Sequence, residues 1–261
     1  MKWTSLNPRW TDWQGKRVWV VGASSGIGAA LAQNLLRRGA NVALSARRID
    51  ALQTVATGLP NAWVVPMDVT DPAAWGAAHQ ILCREWDTID LVVFCAADYR
   101  PLRPWDIRAD HVRQTIEVNL NSVYYGLEVV LPGLLSQQSG GIALIASIAG
   151  YLGLPNATVY GPTKAALINL AELLYTELHA KGLGVYLINP GFVKTRLTAA
   201  NSFPMPALQT PEAAAEAIVD GLARGRFEID FPKRFTRLLK FTSLLPYRLR
   251  LAALQRVTGT S

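Results

Sequence analysis

Residues 17–28 read Arg-Val-Trp-Val-Val-Gly-Ala-Ser-Ser-Gly-Ile-Gly, an apolar run followed at once by three glycines within seven residues. The run Arg17–Val21 is rich in β-branched residues, which favours a strand. Gly22, Gly26 and Gly28 permit a tight turn and a close approach of the backbone to phosphate. A helix that begins at such a turn directs its free N–H groups towards an anion. The stretch therefore predicts a strand, a phosphate-binding turn and a helix, as in a dinucleotide site.

Short apolar runs alternate with longer helical segments along the rest of the chain. This pattern is typical of a parallel sheet covered by helices on both faces. Helices are expected after Asp71-Pro72 and Thr210-Pro211, because an N-capping side chain there precedes a proline at the first helical position. The predicted fold class is α/β, a single doubly wound Rossmann-type domain with a seven-stranded parallel sheet. Its predicted strands are Arg17–Val21, Asn41–Ser45, Ala62–Pro66, Asp90–Phe94, Ile142–Ala146, Gly184–Ile188 and Phe227–Asp230.

No linker rich in Gly, Ser or Pro divides the 261 residues, so we expect one domain. Trp3, Trp10 and Trp13 are expected to pack the N-terminal segment onto that domain. The predicted segments are an N-terminal flap at 1–14, a core at 15–230, a substrate lid within it at 196–210, and a basic amphipathic tail at 231–261.

The composition argues against several classes of protein. Half of the residues are hydrophobic, which suits a large core, and no apolar run reaches membrane-spanning length. The two cysteines and three histidines lack metal-ligand or disulfide spacing, so we expect a reduced, cytoplasmic protein without a metal. They are Cys83, Cys95, His79, His111 and His179.

Two arginines bear on the choice of cofactor. Arg47 and Arg48 follow the second strand, and no acidic residue precedes Asp50 there. An acid at this place would bind a free ribose 2′-hydroxyl, whereas guanidinium groups suit a 2′-phosphate. We therefore predict NADP(H) in preference to NAD(H). The alternative is two solvated arginines at the start of a helix.

The ends of the third and fourth strands could complete the adenosine site. Asp68-Val69 could bind the adenine, although a structural turn would also explain Asp68. Ala96 and Ala97 are small enough for the backbone to lie against the ribose.

Tyr160 and Lys164 are four residues apart, which places them on one face of a helix, and Ser147 lies thirteen residues before Tyr160. An ammonium beside a phenol favours the phenolate. We therefore expect Lys164, together with the positive ring of a nicotinamide, to lower the pKa of Tyr160 from about 10 towards neutrality. The pattern points to nicotinamide-dependent hydride transfer.

Taken in order over residues 15–230, these motifs resemble the short-chain dehydrogenase/reductase family. The residues that carry the resemblance are the glycine turn, Asp68-Val69, Asn119, Ser147, Tyr160-x3-Lys164 and Pro190-Gly191-Phe192-Val193-Lys194-Thr195. The chain departs from the family pattern at Val21, where Thr is common, and at residues 94–97, where Phe-Cys-Ala-Ala replaces Asn-Asn-Ala-Gly. Pro162 must lie in the first turns of its helix or cause a kink.

The resemblance implies a carbonyl–alcohol oxidoreductase with defined catalytic roles. Tyr160 would be the general acid or base, and Ser147 would bind the substrate oxygen. Lys164 would hold the ribose and lower the tyrosine pKa, while Asn119 would anchor a proton-relaying water. Structural alternatives remain open: Ser147 could cap a strand end, Asn119 could satisfy a buried carbonyl, and Tyr160 with Lys164 could be an ordinary helix pair.

The resemblance also places Pro190-Gly191 against the nicotinamide and Thr195 at a cofactor phosphate or amide. The predicted cofactor-binding residues are Gly22, Ser24, Ser25, Gly26, Ile27, Gly28, Arg47, Arg48, Asp68, Val69, Ala96, Ala97, Tyr160, Lys164, Pro190, Gly191, Val193 and Thr195.

Apolar residues near the catalytic motifs favour a hydrophobic ketone, aldehyde or secondary alcohol, although core packing would also explain them. These residues are Tyr151, Leu152, Leu154 and Phe192. A competing hypothesis is a cofactor sensor or membrane-surface adaptor that retains the fold without turnover. The resemblance further suggests a homodimer or homotetramer built on the long helices around Val112–Leu135 and Thr158–Ala180.

The positive charge is concentrated at the C-terminus. From Arg224 onward there are nine basic and two acidic residues, a surplus as large as the +7 of the whole chain. Within the tail, Pro246 separates two short helices in which leucines alternate with arginines. This tail could bind an anionic membrane peripherally, at the inner face of a membrane, or pack over the substrate cleft or a subunit contact. We expect no nucleic-acid partner, because no recognition module accompanies the charge.

Overall fold

The computed structural model describes residues 5–201 and 203–258; Trp3 of the expected flap lies outside them. Its strands are β1 Arg17–Val21, β2 Asn41–Ser45, β3 Ala62–Val64, β4 Leu91–Phe94, β5 Gly141–Ile145, β6 Gly184–Pro190 and β7 Glu228–Phe231. Within the described residues these seven strands form one parallel sheet in the order β3-β2-β1-β4-β5-β6-β7. The predicted fold class and all seven predicted strands are confirmed, with ends that differ by at most two residues.

The helices follow the strands in alternation. They are α1 Gly26–Arg37, α2 Ile49–Ala56, α3 Pro72–Trp86, α4 Ala109–Ile116, α5 Ser122–Gln137, α6 Tyr160–Leu178, α7 Pro211–Ala223, α8 Lys233–Leu244 and α9 Tyr247–Thr258. A π-helical turn, Glu117–Asn121, joins α4 to α5. Both proline-marked helix starts are capped as expected. Asp71 Oδ1 accepts a hydrogen bond of 3.0 Å from Ala73 N–H, and Thr210 Oγ1 accepts one of 3.2 Å from Ala213 N–H.

Alternate residues of β1 divide the core between the two faces of the sheet. Val18 and Val20 pack with residues of α1, α2 and α7, while Trp19 and Val21 pack with residues of α3, α5 and α6. The strand order reverses direction between β1 and β4. In a doubly wound sheet, ligands bind outside the carboxyl ends of the strands at this switch point.

The N-terminal segment packs at the opposite end of the sheet. Trp10 and Trp13 are buried and stacked, with ring centroids 5.5 Å apart. The indole N–H of Trp10 donates to the Tyr186 hydroxyl at 2.7 Å, and Asn7 exchanges two hydrogen bonds with the backbone of Val185. Val185 and Tyr186 begin β6, so this segment stabilises the amino edge of the sheet and leaves the carboxyl edge open for a ligand.

Candidate active site

Close backbone contacts explain the glycines after β1. A Cβ atom at Gly22 would lie 2.5 Å from the backbone nitrogen of Ala96, and one at Gly28 would lie 2.3 Å from the carbonyl oxygen of Gly22. Gly26 has φ +58°, and a Cβ there would meet the Thr195 side chain at 2.9 Å. The turn is therefore packed against the loop after β4 on one side and faces Thr195 on the other.

The amino end of α1 is suited to an anion. Ser25 is its N-cap residue, yet the Ser25 side chain makes no capping hydrogen bond within the described part of the chain. The first turn carries no acidic residue. Its N–H groups and the helix dipole therefore favour a negatively charged ligand. The residues present fit the diphosphate of a dinucleotide.

The two arginines after β2 occupy different positions. Arg48 donates to the carbonyl oxygen of Ser24 at 3.2 Å and to the Ser24 hydroxyl at 3.3 Å, so it reaches across to the glycine turn. Arg47 faces a polar cleft between this turn and α4. That cleft is lined by Arg47, Asp98, Arg100, Asp110, His111 and Gln114.

Asp68 and Val69 take part in the turn before α3. Asp68 Oδ1 accepts from Thr70 N–H at 3.0 Å and from the Thr70 hydroxyl at 2.8 Å. The carbonyl oxygen of Val69 accepts from the Trp75 indole at 2.9 Å. The hydrogen bonds of Asp68 match the alternative role, in which its side chain stabilises a turn. They place both residues at the carboxyl edge of the sheet, where the adenosine half of a dinucleotide would lie.

Tyr160 opens α6 and Lys164 follows one turn later. The ammonium of Lys164 lies 5.5 Å from the centroid of the Tyr160 ring and donates to the carbonyl oxygen of Ile145 at 2.8 Å. Only 1% of Lys164 is exposed. Pro162 falls in the first turn of α6, where its missing N–H leaves no intrahelical bond unmade.

Ser147 lies two residues after β5 and combines two contacts. Its hydroxyl oxygen accepts from Ala149 N–H at 3.1 Å, which caps the strand end. Its side chain also lies close enough to Tyr160 to lower the pKa of the phenol. The structure therefore brings Ser147, Tyr160 and Lys164 together at the carboxyl edge of the sheet.

Burial dominates the electrostatics of this group. It raises the pKa of Tyr160 to about 12, and the neighbouring Ser147 hydroxyl opposes this by a smaller amount. Burial also lowers the pKa of Lys164 to about 8. The expected lowering of the tyrosine pKa depends on a nicotinamide ring as well as on Lys164, and it stays a prediction.

Asn119 lies in the π-helical turn between α4 and α5. Its Oδ1 accepts from Asp98 N–H at 2.7 Å, and its Nδ2 donates to the Asp98 carbonyl at 2.9 Å and to the Thr163 hydroxyl at 3.1 Å. The hydrogen bond to the Asp98 carbonyl is the one expected for the alternative role, in which Asn119 satisfies a buried carbonyl. Asn119 thereby joins the loop after β4 to the first turn of α6.

Sequence reasoning missed Tyr99, which lies between Tyr160 and the lid. Its ring packs edge-on against that of Tyr160, with centroids 4.9 Å apart. Its hydroxyl donates to Asn201 Oδ1 at 2.8 Å. A single tyrosine in a loop has no spacing or periodicity, so no sequence pattern marks it.

The predicted lid is closed at its base by backbone pairing. Val193 and Gln209 form an isolated parallel bridge, so the two ends of the segment between them lie next to each other, close to β6. Aromatic rings of three segments meet beside it. The centroid of the Phe192 ring lies 6.0 Å from that of Phe203 in the lid and 6.0 Å from that of Phe235 in α8.

The expected apolar wall is only partly apolar. Leu152 is buried and Leu154 is half-buried. The Tyr151 hydroxyl, however, donates to Glu228 of β7, and the ammonium of Lys240 lies 5.4 Å from the centroid of its ring. Tyr151 therefore belongs to a polar network that connects the substrate side of the sheet to α8.

Comparison with known proteins identifies the family. The model of the short chain dehydrogenase family matches residues 16–204. The chain belongs to the short-chain dehydrogenase/reductase family. It is therefore an NAD(P)-dependent oxidoreductase that acts on CH–OH or carbonyl groups.

Individual relatives and solved structures are similar to this chain over most of its length. An uncharacterized oxidoreductase of Myxococcus xanthus is 35% identical over 242 residues, which cover 91% of this chain and 96% of the relative. A short-chain dehydrogenase/reductase of Mycobacterium marinum has a similar structure, with a TM-score of 0.77, 25% identity, and coverage of 84% of this chain and 94% of that one. A structure described as a ribose-5-phosphate isomerase from Brucella melitensis has a TM-score of 0.76, 28% identity and coverage of 83% and 91%.

Proposed function

We propose that this enzyme interconverts a hydrophobic ketone or aldehyde and its alcohol, using NADP(H), with Tyr160 as the general acid or base. The observation that carries the proposal is that Tyr160 lies beside Ser147 and the buried Lys164 at the carboxyl edge of the sheet. The hydroxyl groups of Ser147 and Tyr160 can both donate hydrogen bonds to the carbonyl oxygen of a substrate. The neighbouring glycine turn supplies a place for the cofactor phosphates.

In the reducing direction, the substrate oxygen would accept hydrogen bonds from Ser147 and Tyr160. When bound, NADPH supplies a hydride to the carbonyl carbon. Tyr160 gives its phenolic proton to the oxygen as negative charge develops there, so the carbonyl becomes an alcohol. The buried phenol is protonated at neutral pH, and the positive charges of Lys164 and of the oxidised nicotinamide would bring its pKa closer to the working pH, where proton transfer is most efficient. Ser147 orients the oxygen, and Lys164 supplies positive charge close to the ring.

Preference for NADP(H) rests on Arg47 and Arg48. Arg48 is held at the glycine turn by Ser24, and Arg47 faces the adjoining polar cleft. With no acidic residue between the end of β2 and Asp50, nothing in this segment would repel a 2′-phosphate. Guanidinium groups bind phosphate with charge-assisted hydrogen bonds.

Preference for a hydrophobic substrate rests on the three phenylalanines around the lid. Phe192, Phe203 and Phe235 come from the β6 loop, the lid and α8, and the Phe192 ring lies beside each of the other two. Together they would form an apolar surface next to the reacting carbonyl.

We also propose a homodimer or homotetramer, since Tyr124 of α5 and Leu173 of α6 expose 50% and 56% of their surface on the helices expected to pair.

A panel of ketones, aldehydes, steroids and acyl-chain carbonyls, with NADPH oxidation followed by absorbance, tests the proposal. We expect turnover with at least one apolar carbonyl and little with small polar ones. Binding of NADPH without oxidation by any member of the panel would instead support the competing hypothesis of a cofactor sensor.

A further inference from the structure

The first helix of the tail has one face attached to the domain. Thr236 is fully buried and donates to Asp230 of β7. Lys233 forms an ion pair with Asp230, and Lys240 forms one with Glu228. The acidic residues of β7 thus neutralise the two lysines of α8 and fix the orientation of the helix.

The exposed side of α8 carries three large apolar residues alongside Arg234 and Arg237. Leu238, Phe241 and Leu244 recur at intervals of three residues, which places them along one side of the helix. They expose 61%, 65% and 82% of their surface. Large side chains in a row with this exposure mark an interaction surface, whereas isolated exposed leucines do not.

Exposed apolar residues continue into α9. After Pro246, Tyr247, Leu249 and Leu251 expose 72%, 57% and 52% of their surface. The guanidinium of Arg250 lies 4.2 Å from the centroid of the Tyr247 ring and donates to the Ser243 carbonyl at 3.1 Å, so the two helices are held together at the bend. The exposed apolar surface therefore extends over both helices of the tail.

The charge on this surface selects the kind of partner. Residues 231–261 contain seven basic residues and no acidic residue. Arg234, Arg237 and Arg248 are exposed and have no acidic partner among the described residues. Pairing of two such tails would bring like charges together. An anionic surface with an apolar interior suits both the arginines and the leucines, because arginine side chains extend along apolar groups and keep their charged ends in water.

We propose that α8 and α9 dock this enzyme on the surface of an anionic lipid bilayer. The leucines and Phe241 would enter the region between headgroups and acyl chains, and the arginines would contact lipid phosphates. Among the described residues, no helix has the length and hydropathy of a membrane span. The proposal rests on the tail alone and is independent of the hydride-transfer chemistry.

Sedimentation of the full-length protein with vesicles tests it. We expect the protein to pellet with phosphatidylcholine vesicles that contain about one third phosphatidylglycerol at low ionic strength, and not with phosphatidylcholine alone. Phe241→Ser/Leu244→Ser and Arg234→Gln/Arg237→Gln should each reduce the bound fraction at least about fivefold. The matched controls Ile49→Ser/Ile81→Ser and Arg84→Gln/Arg113→Gln change exposed residues elsewhere and should bind as the wild type does.

Three results would overturn the proposal. One is failure of the wild-type protein to pellet with anionic vesicles at low ionic strength. Another is pelleting that the two tail variants reduce no more than the controls do. The third is a smaller oligomer for Phe241→Ser/Leu244→Ser in sedimentation velocity without lipid, which would show that a second copy of the chain covers this surface.

Discussion

Tyr99 packs edge-on against Tyr160, with ring centroids 4.9 Å apart, and its hydroxyl donates to Asn201 of the lid at 2.8 Å. One side chain thus contacts both the proposed proton donor and the segment that would cover the substrate. The Tyr99 hydroxyl donates to the lid and is therefore not the proton donor. Tyr99 is a positioning residue in this arrangement.

Tyr99→Phe separates these two contacts. The ring contact with Tyr160 is kept and the hydrogen bond to the lid is lost. A neutral hydrogen bond contributes about 1 kcal/mol, so we expect KM for the carbonyl substrate to rise about fivefold. We expect kcat and the Kd of NADPH to change less than about twofold. Steady-state kinetics of Tyr99→Phe and of Tyr247→Phe, a control at an exposed tyrosine, measure this effect. An unchanged KM for Tyr99→Phe would show that the lid does not depend on Tyr99.

Replacement of Arg47 and Arg48 by serine tests the cofactor preference. Loss of two charge-assisted contacts to a 2′-phosphate should raise the Kd of NADPH at least about tenfold and leave that of NADH within about twofold. Fluorescence titration with both cofactors provides the measurement, and Arg84→Ser serves as a control at an exposed site. If NADH binds the wild-type enzyme more tightly than NADPH, the assignment of these arginines is wrong.

The buried Lys164 should make stability depend on pH. Its folded pKa of about 8 lies below its ordinary 10.5, so between these values the unfolded chain binds more protons than the folded chain, and stability rises with pH. Below this window the wild-type protein carries the full cost of burying the charge. Relative to Lys164→Met, the wild type should therefore gain roughly 2–3 kcal/mol between about pH 7 and pH 10.

Urea unfolding of both proteins across that range measures the gain, and Lys181→Met shows the effect of removing an exposed ammonium. A difference between wild type and Lys164→Met that stays constant with pH would mean that burial does not govern the ionisation of Lys164.

Local sequence patterns were sufficient to predict the framework of the fold. The strand, turn and helix at residues 17–37 follow from β-branched residues, from glycines and from helical periodicity, all of which act over a few residues. The starts of α3 and α7 follow from Asp71-Pro72 and Thr210-Pro211, since capping involves atoms two or three residues apart. The family motifs added the candidate site residues and their order.

Contacts between distant residues could not be predicted in the same way. The Tyr151 hydroxyl meets Glu228, which is 77 residues away, and this makes a supposed apolar wall partly polar. Burial of Tyr160 raises the pKa of its phenol, and Lys164 donates to Ile145; neither is encoded in the four-residue spacing. Orientation of the tail likewise depends on Asp230, which lies outside it.

The central claim is that Tyr160 donates the proton, and single-turnover reduction of an apolar carbonyl by Tyr160→Phe tests it most directly. Phenylalanine keeps the ring beside Tyr99 and Lys164 and removes only the hydroxyl. The reduction rate should fall at least about 100-fold, with the Kd of NADPH changed less than about twofold. A variant that reduces the same carbonyl within about threefold of the wild-type rate would contradict the assignment.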